Sequence, residues 1–73
     1  MPKLPVVSGK ECRKTLGRLG FEEVRQRGSH VVMKRNDAGC VVPIHAEIKT
    51  GTLGGILKQA GVSVEEFIEA LGR

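Results

Sequence analysis

Apolar residues recur at helical spacing toward the two ends of the chain and alternate with polar ones in its middle. Cys12, Leu16 and Leu19 stand at i, i+4 and i+7, which marks one face of a helix. Ser8 with Glu11 three residues later makes a capping box, and Gly20 offers a left-handed stop. A first helix is therefore expected from about Gly9 to Leu19. Ahead of it, Pro2 and Pro5 hold Met1 to Val7 extended.

Between Glu22 and Arg35 the pattern changes to two runs of six residues, Glu22 to Arg27 and His30 to Arg35, separated by Gly28-Ser29. Gly at the first central position of a two-residue connection predicts a tight hairpin. Closing it there pairs Arg27 with His30, Gln26 with Val31, Arg25 with Val32, Val24 with Met33 and Glu23 with Lys34. Val24, Gln26, Val31 and Met33 then share the more apolar face. Glu23, Arg25, Arg27, His30, Val32 and Lys34 share the other, and a slip of one residue would exchange the two sets.

Asn36-Asp37-Ala38-Gly39 reads as a turn, followed by a third strand from Cys40 to Ile44 in which Pro43 indicates an edge or a terminus. His45 to Lys49 forms a connection. A second helix is expected over Gly51 to Ala60 with Thr50 as N-cap, Leu53, Ile56 and Leu57 buried, and Gly61 as its stop. Gly54 and Gly55 weaken that helix, by about 1 kcal/mol each against Ala, and suggest close packing on their side. Ser63 and Glu66 cap a short last helix with Val64, Phe67, Ile68 and Leu71 on its apolar face. The fold class that follows is α+β: helix, three-stranded antiparallel sheet, helix and short C-terminal helix, with one sheet face covered and His30 on the open one.

Composition narrows the chemistry. A chain of 73 residues corresponds to one domain, residues 1–73, near the lower limit for a core without disulfides or metals. Phe21 and Phe67 are the only aromatics, which argues against a base-stacking platform. The net charge of +4 is unevenly spread: residues 1–35 hold nine Lys/Arg and three Asp/Glu, while residues 36–73 hold three and five. The basic half contains the hairpin, which suits a polyanion such as RNA or DNA. Lys10, Arg13, Lys14 and Arg18 form a basic surface on the first helix, either a solvated face or a second row of phosphate contacts.

Other site chemistries fit poorly. Cys12 and Cys40 lack the short ligand spacings of a zinc site with His30 and His45, so no metal or other cofactor is expected. Without a signal peptide or a membrane-length apolar run, free thiols and a cytoplasmic setting are expected. Lys49-Thr50-Gly51-Thr52 lacks the leading glycine and residue order of a phosphate loop. Glu65, Glu66 and Glu69 are accounted for by the last helix and its dipole. His45, just beyond a strand, reads as a supporting hydrogen-bonding residue.

Several short stretches, in this order and spacing, carry a resemblance: Lys3-Leu4-Pro5, Ser8-Gly9-Lys10-Glu11, Leu19-Gly20-Phe21, Arg27-Gly28-Ser29-His30, Pro43 with His45, Gly51-Thr52-Leu53, Ile56 to Gly61, and Glu65-Glu66-Phe67. Over nearly its whole length the chain resembles HicA-type toxins, with Cys12 standing where an aliphatic residue is more usual. The resemblance implies a fold similar to double-stranded-RNA-binding domains and an mRNA interferase paired with a HicB-type antitoxin, a monomer alone and a hetero-oligomer with its partner. It also implies one essential histidine, which falls on His30. Arg25, Arg27, Ser29 and Lys34 are then the candidate RNA contacts. Metal-free cleavage by such a site needs only the RNA 2′-hydroxyl, an acid/base group and charge neutralisation. The residues alone leave open a non-catalytic double-stranded-RNA-binding module of the same fold, or a protein-binding domain.

Overall fold

A computed structural model describes residues 3–72; the Pro2 part of the extended lead-in lies outside them. The element order is α1 (Gly9–Arg18), β1 (Glu22–Arg27), β2 (His30–Arg35), β3 (Ala38–Pro43), α2 (Thr50–Ala60) and α3 (Val64–Leu71). The strands form an antiparallel sheet in the order β1-β2-β3, so the expected α+β architecture is present.

Local signals account for most boundaries. Both capping boxes are made: Ser8 Oγ accepts from Glu11 N–H while Glu11 Oε1 accepts from Ser8 N–H, and Ser63 and Glu66 repeat the arrangement. Each satisfies donors at a helix start that would otherwise lack partners. Gly20, Gly61 and Gly72 take positive φ at the helix ends, where a side chain would be strained.

Two expectations at element ends are corrected, and one inside α2. Thr50 lies inside α2, and Lys49 is its N-cap without a side-chain hydrogen bond. The third strand begins at Ala38 rather than Cys40, because Arg35 pairs with Ala38 and the turn contracts to Asn36-Asp37. Asn36 takes φ 53° there, a left-handed geometry that Asn tolerates better than most residues. Close packing does not explain the glycines of α2: a Cβ on Gly55 would meet nothing within 4 Å, and one on Gly54 only Leu4 at an ordinary 3.7 Å.

The core lies between one sheet face and the helices. Val31, Met33, Cys40 and Val42 from the sheet are buried with Cys12 and Leu16 of α1, Leu53, Ile56, Leu57 and Ala60 of α2, and Phe67 and Leu71 of α3. Val7 and Ile48 join this core through a bridge between the lead-in and the connection before α2. That bridge has no signature in the local pattern.

Candidate functional site

The hairpin closes as its turn residues require. Gly28 has φ 55° while Ser29 does not enter the positive region, as a turn with glycine at the first central position demands. Arg27 pairs with His30, Gln26 with Val31 and Arg25 with Val32. Gln26 Nε2 donates to the Gly28 carbonyl at 3.3 Å, and Ile44 N–H donates to the Ser29 carbonyl at 2.6 Å. The turn is tied on both sides.

Beyond Arg25 the expected register fails. Glu23 pairs with Met33 and Glu22 with Lys34, leaving Val24 as an extra residue in a bulge. A bulge puts two residues opposite one and reverses the alternation on its strand. Glu23 therefore moves from the open face to the helix side, where Oε1 meets Arg13 Nη1 at 3.4 Å. Val24 moves the other way and is 52 % exposed. It lines an open depression of about 400 Å³ with Arg25, Val32 and Lys34. The bulge sets Glu22 opposite Lys34, where unbroken pairing would have set it opposite Arg35.

His30 stands on the open face between two cross-strand neighbours, Arg27 on β1 and Pro43 on β3. Arg25 and Lys34 lie on the same face, and His30, Arg25, Arg27, Ser29 and Lys34 are all exposed. Among the described residues none of the four basic side chains here makes an ion pair. The arrangement presents an imidazole beside two guanidinium groups and an ammonium, all free to meet an anion. Directly opposed residues on antiparallel strands sit about 5 Å apart, close enough for Arg27 to hold a phosphate against His30.

What supports this surface from behind was missed by the sequence reading. Gly9, the first residue of α1, donates its N–H to the His45 carbonyl at 2.8 Å. A Cβ on Gly9 would clash with the Pro43 carbonyl oxygen and stand 2.9 Å from Ile44 Cα. The helix start thus packs on the backbone of the segment that neighbours His30, and only glycine fits. An available signal was glycine at a helix position where better helix formers are tolerated. His45 serves here through its backbone carbonyl, and its side chain is exposed.

The remaining candidates separate clearly. Cys12 and Cys40 are free and buried. Burial, reinforced by the neighbouring Cys40, pushes the Cys12 thiol up to about 12, and burial also raises Cys40, so neither offers a thiolate nucleophile near neutral pH. No group of three or more His, Cys, Asp or Glu side chains suited to a metal occurs among the described residues, and no helix among them is long and apolar enough to cross a membrane.

A family model described as the HicA toxin of bacterial toxin-antitoxin matches residues 9–62, from the start of α1 through α2 and including the hairpin. No curated protein matches the chain significantly.

Proposed function

Because the chain belongs to the HicA toxin family of bacterial toxin-antitoxin systems, we propose that it is an mRNA interferase that cleaves RNA without a metal ion and is neutralised by a HicB-type antitoxin in the cytoplasm. One observation carries this reading: an exposed histidine stands at a tied hairpin turn, paired with Arg27 on the open sheet face. His30 acts as general base, taking the proton of the 2′-hydroxyl as that oxygen attacks the adjacent phosphorus. The bond to the 5′-oxygen breaks, and the leaving oxygen takes a proton from water or from the imidazolium. The products are a cyclic phosphate and a 5′-hydroxyl.

Arg25 and Arg27 neutralise the phosphate on which charge accumulates, and Lys34 holds a neighbouring phosphate. Ser29 contributes its hydroxyl at the mouth of the turn, its carbonyl being held by Ile44. The antitoxin covers the same face. Val24 and Val41, 52 % and 41 % exposed, flank Val32 and supply the apolar contact that a protein partner uses and a phosphate backbone does not. Acidic groups around that contact would complement Arg25, Arg27 and Lys34.

The test is cleavage of a labelled, unstructured RNA with chelator present, by the chain and by folded His30→Ala. Loss of about 10² to 10⁴ in rate is expected for an acid/base group, together with protection by saturating antitoxin. Equal rates in the two proteins, or cutting of a substrate with deoxyribose at the scissile position, would reject the mechanism. RNA binding without cleavage by the unaltered chain would point to the non-catalytic binding module.

A further inference from the structure

On the helix side of β1, a second depression of about 530 Å³ is lined by Lys10, Arg13, Lys14, Gly17, Arg18 and Glu23. Four of these six residues are cationic. Lys10, Lys14 and Gly17 lie at i, i+4 and i+7 along α1, so the two lysines leave the helix one turn, about 6 Å between their Cβ atoms, apart and in line with a bare position. A Cβ there would meet nothing within 4 Å, so packing supplies no reason for glycine inside a helix, where alanine is the better helix former. A bare position lets a ligand backbone lie close against the helix.

Arg13 is only partly engaged by the protein. Among the described residues its one ion pair, to Glu23, is 3.4 Å long, and its Nε has no acceptor. Glu23 thus holds Arg13 weakly and competes with any incoming anion. The lining contains no apolar side chain, unlike the core of a protein interface. β1 is an edge strand, with Arg25 and Arg27 on its open face and this groove on its helix side, so the edge runs between two basic rows.

We propose that the α1–β1 groove is a second binding site for the RNA strand, gripping backbone phosphates of nucleotides beyond the cleaved bond as the strand passes over the β1 edge. The identity of the ligand rests on the ribonuclease reading above; the site rests on the groove itself. Arg18 is turned toward α3, its Nη1 donating to the Ala70 and Leu71 carbonyls. Lys10, Arg13 and Lys14 make the contacts.

The experiment is fluorescence anisotropy with a labelled, unstructured RNA, in a His30→Ala background so that the probe is not cut. Lys10→Ala/Lys14→Ala should weaken binding and flatten the plot of log affinity against log salt by about 1.4, at about 0.7 for each phosphate no longer neutralised. Gly17→Ala should melt at a higher temperature yet bind RNA less tightly, and Glu23→Gln should bind more tightly. Unchanged affinity and slope in the double lysine variant would overturn the proposal. So would loss of antitoxin binding with RNA affinity intact, which would make the groove a protein-binding surface. If the unaltered chain cleaves RNA while the lysine variant binds normally, the groove alone fails. If the unaltered chain neither binds nor cleaves RNA, the ribonuclease reading fails with it.

Discussion

Arg35 and Arg25 belong to the same sheet, yet they are used in opposite ways. Arg35 donates to the Leu19 carbonyl at 2.8 Å and lies over the Phe21 ring at 4.7 Å, closing the end of α1 against the strands. Arg18 similarly ties α1 to the last carbonyls of α3, where a cation also complements the helix dipole. Arg25 and Arg27 have no ion pair among the described residues and project from the open face. A guanidinium bonded to main-chain carbonyls holds the fold together, whereas one left to water is available to an anion. The net positive charge of the basic half is therefore divided between groups that hold the fold and groups left to solvent, and charge counting alone does not separate them.

Removing the free pair puts this division to its most severe test. Arg25→Ala/Arg27→Ala is expected to lower kcat/KM for RNA by about a hundredfold, taking roughly 1.5 kcal/mol for each charged hydrogen bond removed, with the urea midpoint nearly unchanged. A large fall in stability would show these arginines to be structural after all. Gly9→Ala should have the next largest effect, of opposite character. Its methyl group meets backbone at Pro43 and Ile44, and overpacking of this kind costs about 1–3 kcal/mol; urea unfolding measures it, and a shift of the Pro43–His45 amide resonances would accompany it. Unchanged stability would mean that the helix start and this segment do not pack as described.

The smallest effect probes the same division from its structural side. Arg35→Ala should destabilise by about 1–2 kcal/mol, because it removes the bond to the Leu19 carbonyl and the stacking on Phe21. RNA affinity of the protein that remains folded should be unchanged, as anisotropy below the unfolding transition would show. Reduced affinity with full stability would move Arg35 into the binding surface.

Legibility in the sequence tracks the range of the interaction. The hairpin bounds, the pairs from Arg27–His30 to Arg25–Val32, both capping boxes and the glycine stops depend on residues within a few positions of one another, and all are present. The exposure of His30 follows from that local register. The bulge at Val24 was not legible, because strict alternation there was equally compatible with the turn; it turns Glu23 toward Arg13, on a helix ten residues away, a neighbour that the local pattern does not name. Thr50 misled as a cap because its residue type favours the position while the chain enters α2 at Lys49.

The elements, the turn that presents His30, the uneven charge and a resemblance to a toxin family that the family comparison bears out could all be read from the order of residues. These are short-range properties of backbone conformation and composition. Which arginines are engaged by carbonyls, which face Glu23 and Val24 occupy, and why Gly9 begins α1 were settled at the level of tertiary structure. Each of those depends on groups brought together from distant parts of the chain, where close packing and unsatisfied hydrogen-bonding groups select among arrangements that local preference leaves equal.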